Sequence, residues 1–258
     1  MLSISTCFNY NVPIEEQFEI VQRAGFDCIS LSSNYKHNGV FNDIDKIKGL
    51  MNTYNLRIDT IHGCRCDLED SLERLKQCAN AANKLEAKVV VIHPCEFYIA
   101  EDRVQEKFNI LIAVCKELEP LAKELDVRFA IENLHPGFAT EVVKRALDLL
   151  DSEYFGMCYD SSHDQLDGPR DFSLLEKYGH RVIAVHISDR IKEFVDHVVP
   201  EEGFIDFTKI TELLNKSAYK GSVLMEVASD NTKYKEPKQL VEEAYRKAVE
   251  LYKEIVKG

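Results

Sequence analysis

Long apolar runs are absent from this 258-residue sequence. No stretch approaches the roughly 20 consecutive apolar residues that a helix needs to cross a bilayer. The opening residues, MLSISTCFNYNVPIEEQ, reach polar positions too soon for the apolar segment of an export signal. We therefore expect a soluble, cytoplasmic protein with no membrane partner.

Paired cysteines are also absent, apart from one short motif. The eight cysteines are scattered along the chain, and several lie inside apolar or periodic segments. This pattern does not indicate a disulfide framework and fits a reducing compartment. Cys64 and Cys66 form a Cys-x-Cys pair that could bind a soft metal, but one pair without a second is a weak signal.

Positive charge is in short supply. The 32 lysine and arginine residues are outnumbered by 44 aspartate and glutamate residues, which gives a formal net charge of −12. A charge of this sign repels polyanions at long range. We therefore do not expect nucleic acid to be a partner.

Neither a dinucleotide fingerprint nor an interdomain linker is present. No G-x-G-x-x-G motif follows the first predicted strand, so a nucleotide cofactor is not expected. No Pro-, Gly- or Ser-rich linker divides the chain, so residues 1–258 are predicted to form one domain. Since 45% of the residues are hydrophobic, such a domain can bury a large core.

Short β-branched runs alternate with longer segments of helical periodicity along the whole chain. The predicted strands are Leu2–Thr6, Cys28–Ser32, Arg57–His62, Lys88–His93, Arg128–Glu132, Gly156–Asp160, Val182–His186 and Ser222–Glu226. The predicted helices are Ile14–Ala24, Asp43–Tyr54, Ser71–Leu85, Arg103–Leu125, Thr140–Leu150, Phe172–Lys177, Phe207–Asn215 and Pro237–Val256. Strict eightfold alternation with continuous apolar strands is typical of an α/β protein with the (β/α)8 TIM barrel fold. The alternative is an open, doubly wound sheet.

Polar residues stand at the last position of predicted strands three to eight. They are His62, His93, Glu132, Asp160, His186 and Glu226. Each alone has an ordinary explanation, such as a hydrogen-bonded histidine or an aspartate that begins a turn. In a barrel, however, these positions share one rim, and the like charges gathered there are tolerated chiefly when a cation compensates them. The donors suit Mn²⁺, Mg²⁺ or Co²⁺, and Zn²⁺ also fits.

At these residues the sequence resembles the xylose isomerase-like barrel superfamily, which includes sugar and sugar-phosphate isomerases and epimerases and the endonuclease IV DNA-repair enzymes. The similarity covers nearly the whole chain. It rests on VIHP (Val91–Pro94), AIEN (Ala130–Asn133), YDSSH (Tyr159–His163), VHISD (Val185–Asp189), DHVVPEEGFID (Asp196–Asp206) and LMEV (Leu224–Val227).

The resemblance implies an isomerase or epimerase of carbohydrate metabolism that acts on a small sugar-like molecule. It implies one divalent metal ion, held by Glu132, Asp160, His186 and Glu226. In such enzymes one glutamate removes a proton from a carbon beside a carbonyl, the metal stabilises the resulting cis-enediolate, and a second glutamate returns a proton. These roles would fall to Glu132 and Glu226. The substrate pocket would be lined by His62, His93, His163 and His197, with His163 holding a substrate hydroxyl.

Two loops after strands supply further candidates for substrate binding. Arg190, in the charged segment after strand seven, could hold a substrate phosphate or carboxylate, or could form a solvated pair with Glu193. This segment is also a candidate to close over the substrate. Tyr35 and His37, after strand two, could reach the pocket.

Alternatives to the isomerase remain open. Ketose 3-epimerases of the family carry a second glutamate six positions after the first, whereas Phe138 stands there in this sequence, which argues against a free hexulose. All but one of the zinc ligands of endonuclease IV have counterparts here, but Val195 replaces its aspartate two residues before the last histidine. A barrel that binds a sugar without turnover is a third alternative. Related barrels often dimerise, so a homo-oligomer is also considered.

Overall fold

The computed structural model describes residues 1–33, 43–166 and 168–256. Tyr35 and His37 therefore lie outside the described residues. Within the described ranges, each helix is too short or too polar to span a membrane.

Eight parallel strands in the described ranges form a nearly closed barrel, which confirms the predicted fold. The strands are β1 (Leu2–Ser5), β2 (Cys28–Ser32), β3 (Arg57–Arg65), β4 (Val89–His93), β5 (Arg128–Glu132), β6 (Phe155–Asp160), β7 (Val182–His186) and β8 (Val223–Met225). They pair in the order β7-β6-β5-β4-β3-β2-β1-β8. The remaining seam is joined by Ile187, whose N–H donates to Leu224 O at 2.9 Å and whose carbonyl accepts from Glu226 N at 3.0 Å.

The connecting helices cover the outer surface of the barrel. They are α1 (Ile14–Ala24), α2 (Ile44–Tyr54), α3 (Ser71–Lys84), α4 (Val104–Leu125), α5 (Phe138–Leu149), α6 (Ser161–Asp164), α7 (Ser173–Tyr178), α8 (Phe207–Lys216) and α9 (Pro237–Val256). Asp206 begins α8 because its carboxylate accepts a hydrogen bond from Lys209 N at 3.1 Å. Gly25 ends α1 with φ 106°, a left-handed conformation that glycine adopts without strain.

Two strand ends differ from the sequence prediction. β3 continues to Arg65 because Arg65 pairs with His93 of β4, after an irregularity in the register beyond His62. His62 is therefore inside its strand and not at its end. β8 ends at Met225, so Glu226 is the first residue after its strand.

The barrel interior is filled by small and medium apolar side chains. Those of β4 to β7 form one buried cluster, composed of Val91, Ala130, Cys158 and Ala184. Larger side chains such as Phe129 and Tyr159 point the other way and pack in the layer between the strands and the helices. This alternation decides which polar residues can meet at the carboxyl end of the barrel.

Candidate active site

Four of the predicted site residues share the inward face of the barrel. Each lies two positions beyond a member of the interior apolar cluster: His93, Glu132, Asp160 and His186 follow Val91, Ala130, Cys158 and Ala184. Residues two apart on a strand point to the same face of the sheet. The regular alternation of the strands therefore brings the four side chains together above the apolar interior.

Glu132 occupies the middle of the site and is completely buried. Its Oε2 lies 3.2 Å from His186 Nδ1 and 3.3 Å from both His62 Nε2 and His93 Nε2. Its Oε1 lies 3.1 Å from His163 Nδ1. Neither oxygen accepts a hydrogen bond from the described residues. Both oxygens of this buried carboxylate can therefore accept a further partner.

Glu226 and Asp160 complete the central donor group with Glu132 and His186. Nδ1 of His186 lies 2.8 Å from Glu226 Oε2 and 3.9 Å from Asp160 Oδ2. One ligand atom from each of the four residues lies within 4.8 Å of the others. The structure thus brings together the four ligands proposed from the sequence. Cys64 and Cys66 are buried and belong to none of the donor groups found in the described residues.

Asp160 both begins a helix and faces the donor group. Its Oδ1 caps α6, accepting hydrogen bonds from His163 N at 2.7 Å and from Ser162 Oγ at 2.9 Å. Its Oδ2 is buried and has no hydrogen-bond partner in the described residues. The cap therefore fixes the carboxylate in an orientation that leaves one oxygen for the site.

Asn133 positions Asp160 and His163, a role that the sequence analysis did not assign. Its side-chain oxygen accepts from Asp160 N at 2.8 Å, and its Nδ2 donates to Asp160 O at 2.9 Å. Its backbone carbonyl lies 3.1 Å from His163 Nδ1. Because Asn133 directly follows Glu132, one segment of chain holds both the central carboxylate and its neighbours.

The histidine contacts indicate that a divalent cation fits this site. His62 Nδ1 lies 3.1 Å from the Gly63 carbonyl, which favours a proton on Nδ1 and a lone pair on the Nε2 that faces Glu132. In His163, Nδ1 lies 3.1 Å from both the Asn133 carbonyl and Glu132 Oε1, and the buried Nε2 has no partner in the described residues. A lone pair and a carboxylate 3.3 Å apart repel unless a proton or a cation stabilises them.

The electrostatics of the site are strongly coupled. Burial raises the pKa of Glu132, but the imidazoles of His93 and His186 outweigh it and hold the pKa well below its usual range. Burial lowers the pKa of His186, but Cys158 and Glu226 outweigh it, so this pKa lies well above its usual range. The charges of the histidines and glutamates in the site therefore depend on one another.

A cavity of about 350 Å³ opens onto the donor group. Its walls include both glutamates, Glu132 and Glu226, but neither Asp160 nor His186. The four predicted pocket histidines line it as well: His62, His93, His163 and His197. The two glutamates thus border the cavity, Glu226 with 9% and Glu132 with 1% of its side chain exposed, whereas the other two central donors do not line it.

Several other lining residues were not assigned from the sequence. They are Tyr10, Ser32, Ser33, Gly63, Cys64, Arg65, Arg74 and Phe97. Some of them stand at or just beyond strand ends, as Ser33 does after β2 and Arg65 does in β3, and this position was a usable signal. Arg74 lies within α3, where helical periodicity alone does not distinguish it from a surface residue.

Arg190 lies outside the cavity wall, although the sequence suggested that it could bind a substrate anion. Its side chain is fully buried and does not line the cavity. Its Nε donates to Ser162 O at 2.8 Å, and its Nη2 lies 2.6 Å from Asp196 Oδ2. The other oxygen of Asp196 lies 3.2 Å from His197 Nδ1. Arg190 therefore supports the loop and His197 and is not available to a substrate anion.

The loop after β7 is organised around the buried carboxylate of Asp189. This carboxylate accepts backbone hydrogen bonds from Arg190, Glu201, Gly203 and Ile205, at 2.7 to 3.1 Å. A Cβ at position 203 would lie 2.0 Å from the carbonyl oxygen of Arg190, so glycine is required there. The segment that was considered a candidate lid is thus tied to the end of the barrel at both of its ends.

Comparison with known proteins identifies a family that fits this architecture. Residues 18–255 match the family described as xylose isomerase-like TIM barrel. The chain is 30% identical over 146 residues to inosose dehydratase of Clostridium perfringens, an alignment covering 49% of this chain and 49% of the dehydratase. It is 29% identical over 168 residues to an uncharacterised protein of Sinorhizobium fredii, covering 63% of this chain and 54% of that protein. The chain thus spans about half the length of these two curated relatives.

Solved structures share the same fold across nearly the whole chain. A D-tagatose 3-epimerase-like protein superposes with a TM-score of 0.78 at 20% identity, covering 99% of both chains. The IolI protein, solved with a bound zinc atom, superposes with a TM-score of 0.78 at 19% identity, covering 99% of this chain and 97% of that one.

Proposed function

Because the chain belongs to the xylose isomerase-like TIM barrel family, we propose that it is a divalent-metal-dependent isomerase or epimerase of a small sugar-like molecule. Glu132, Asp160, His186 and Glu226 hold the ion in this proposal. The unpaired buried atoms of Glu132, Asp160 and His186 support this assignment. The mixed oxygen and nitrogen donor set accepts Mn²⁺, Mg²⁺, Co²⁺ or Zn²⁺.

The observation that carries the proposal is the division of the four donors between two positions. Glu132 and Glu226 face the cavity, and Asp160 and His186 do not. A group that transfers a proton must reach the substrate, whereas a group that only holds an ion need not. The two glutamates are therefore assigned both proton transfer and ion binding, and the other two residues ion binding alone.

The chemistry of the chain's own residues follows from this division. A bound divalent ion would supply Lewis-acid polarisation of a substrate carbonyl. One glutamate accepts the proton of the neighbouring carbon, and the other donates a proton to the same carbon or the adjacent one. His163 presents its unpartnered Nε2 to a substrate hydroxyl, and His62, His93 and His197 form the polar wall around it.

The same first step also serves a dehydratase. The match to inosose dehydratase over about half of the chain supports a dehydratase as an alternative activity. Abstraction of a proton beside a carbonyl precedes both epimerisation and loss of a neighbouring hydroxyl. Proton exchange is therefore the appropriate first assay, since product analysis then separates the two outcomes.

A nuclease with several metal ions is the second candidate, because the donors overlap into further groups. His62, Glu132 and His186 form one such group, and Asp160, His163 and His197 form another. Against it, Asp196, the acidic residue nearest to His197 in the loop, is engaged by Arg190. One ion per chain supports the isomerase, whereas three ions with cleavage of abasic-site DNA would support the nuclease. A chain that takes up no ion and exchanges no proton would indicate a sugar-binding barrel without turnover.

Glu132→Gln and Glu226→Gln test the proton-transfer assignment. Each metal-loaded variant is incubated in deuterated water with a panel of ketoses, inososes, sugar phosphates and hydroxy-keto acids, and carbon-bound exchange is followed by NMR. We expect each variant to lose about 10²- to 10⁴-fold in exchange rate. Glu153→Gln, at an exposed carboxylate outside the cavity, is the control and should retain the full rate. Exchange at the normal rate in both site variants would refute the assignment.

A further inference from the structure

Two arginine side chains line the cavity that opens onto the donor group. Arg65 stands at the end of β3 and Arg74 lies in α3. Their side chains are 37% and 32% exposed, so both guanidinium groups are reachable from solvent. The family match and the proton-transfer proposal leave these residues without a role.

Arg65 is held in place by a buried ion network. Its Nε donates to Asp67 Oδ1 at 3.0 Å. Asp67 is itself fixed by Lys107 Nζ at 2.5 Å, and Lys107 lies 2.7 Å from Glu96 Oε2. These contacts engage the Nε edge of the Arg65 guanidinium. Its nearest other acidic atom is Glu96 Oε1, 3.7 Å from Nη2, which is too long for a hydrogen bond.

Arg74 is only weakly engaged by the described residues. Its single ion pair there joins Nη1 to Asp70 Oδ1 at 3.7 Å, one helical turn earlier. The Asp70 side chain is 67% exposed, so water screens the pair. A surface ion pair of this kind contributes little to stability, and within the described ranges the guanidinium makes no hydrogen bond to another side chain.

The rest of the cavity wall divides into two parts. The acidic residues, Glu132 and Glu226, belong to the donor group. Apart from the histidines and the two arginines, the other lining residues are neutral and include Ser33 and Cys64. The chain as a whole carries a formal charge of −12, which repels anionic ligands, so an anion would need local cations to enter.

We propose that the substrate carries an oxyanion, a carboxylate or a phosphate, which is bound by Arg74 and Arg65 while its carbonyl end faces the glutamates. The planar guanidinium groups suit either anion because both present oxygens that can accept paired N–H donors. The proposal rests on the proposed function for the orientation of the substrate, and it assigns to these arginines the anion-binding role expected from the sequence for Arg190.

Binding of three five-carbon ligands tests the proposal without turnover. Ribitol, ribitol 5-phosphate and ribonate share a carbon skeleton, and none has an aldehyde or ketone group, so none can undergo the proposed proton transfer. Each is titrated calorimetrically into Mn²⁺-loaded and into metal-free protein. We expect one of the two anionic ligands to bind at least about tenfold more tightly than ribitol. Preference for the phosphate or for ribonate identifies the source of the oxyanion.

Arg74→Gln should remove most of this preference, measured as the ratio of the anion affinity to the ribitol affinity of the same variant. Arg74→Lys should keep part of it, because the charge remains but the paired donors do not. Arg145→Gln is the matched control, since Arg145 is an exposed helical arginine that pairs with Glu141 and does not line the cavity. Circular dichroism and thermal melting confirm that each variant is folded.

The outcomes separate this proposal from the proposed function. Equal affinity for the three ligands, or a preference that persists in both Arg74→Gln and Arg65→Gln, overturns the anion site even if proton exchange occurs. Loss of the anion preference in Arg74→Gln supports the anion site. If this result is obtained but no compound of the panel exchanges a proton, the anion site stands and the proposed isomerase activity is wrong. If the anion preference is seen only with Mn²⁺ and the arginine variants do not change it, the anionic group of the ligand binds to the metal ion, and this also overturns the proposal.

Discussion

Removal and return of a divalent ion should change the stability of this protein by a predictable amount. Buried atoms of Glu132, Asp160 and His186 have no hydrogen-bond partner in the described residues, and on the proposed function the folded chain binds the ion there while the unfolded chain lacks the site. At a free ion concentration of 100 times Kd, binding stabilises the fold by about 2.7 kcal/mol. For a chain of this size, this corresponds to a rise in Tm of roughly 5–11 °C.

Asp160→Asn is the most informative perturbation because it separates the cap from the ligand. The amide oxygen of asparagine can still accept the hydrogen bonds from His163 N and Ser162 Oγ, so α6 should still form. If Kd rises 100-fold, the same ion concentration stabilises the variant by only about 0.4 kcal/mol, and the increase in Tm falls to roughly 1–2 °C.

Without a bound ion, Asp160→Asn should be at least as stable as the parent protein. Burial raises the pKa of Asp160, so its ionised form at neutral pH is disfavoured in the folded state. The neutral amide removes this cost, and metal-free Asp160→Asn should melt at the same temperature as the parent protein or higher. Removal of the ion should thus erase or reverse the difference between the two proteins.

Thermal melting followed by circular dichroism measures these shifts after chelation and after addition of Mn²⁺, Mg²⁺, Co²⁺ or Zn²⁺. Asp164→Asn is the control, because Asp164 is a buried carboxylate four residues away that accepts from the Tyr159 hydroxyl at 2.9 Å and belongs to no donor group. It should leave the ion-dependent shift unchanged. The reasoning is refuted if none of the four ions raises Tm, or if the shift is as large in Asp160→Asn as in the parent.

Two further predictions concern the framework of the site. Burial raises the pKa of Asp67, but a hydrogen bond with Glu96 and the contacts with Lys107 and Arg65 outweigh it and lower the pKa from 3.8 to about 2. Asp67→Asn should therefore lower the free energy of unfolding by about 1–3 kcal/mol at pH 7. This difference should disappear as the pH falls from about 4 toward 2, because a depressed carboxyl pKa stabilises the fold only above that range. Urea titrations measure it, and the control Asp126→Asn, at an exposed ion pair, should change the free energy of unfolding by less than about 0.5 kcal/mol. Gly203→Ala should destabilise the fold by about 1–3 kcal/mol because its Cβ would collide with the Arg190 backbone. Gly49→Ala, at an open position of α2, should instead stabilise the fold by about 0.5–1 kcal/mol. Equal effects of the two substitutions in urea unfolding would contradict the structural explanation.

Most of the fold could be predicted because strand and helix periodicities are local properties of the sequence. The bounds of α1 and α9 agree with the prediction at both ends. The extension of β3 to Arg65 could not be predicted, since it depends on pairing with His93 of β4. The short helix α6 was also missed, because four residues are too few for a periodic pattern, although Asp160 followed by two serines is compatible with a cap.

The central donors could be predicted because they follow apolar strands at positions that share one face. The surrounding wall could not, because it depends on where long side chains point after the backbone has formed. Arg190 and Arg74 illustrate the difference. A sequence shows both as charged residues, but Arg190 is buried against Ser162 and Asp196, while Arg74 reaches the cavity.

The four backbone hydrogen bonds to Asp189 have a consequence for how this rim can diversify. They anchor positions 190, 201, 203 and 205, and the backbone pair between Asp189 and Val198 fixes the returning chain, which leaves the exposed residues 191–194 as an arch between fixed points. Changes of sequence or length within the arch can alter the surface next to His197, which lines the cavity, without displacing β7 or the start of α8. Substrate preference and barrel stability are thereby physically separable on this side of the molecule, and libraries confined to the arch should yield folded proteins in high proportion.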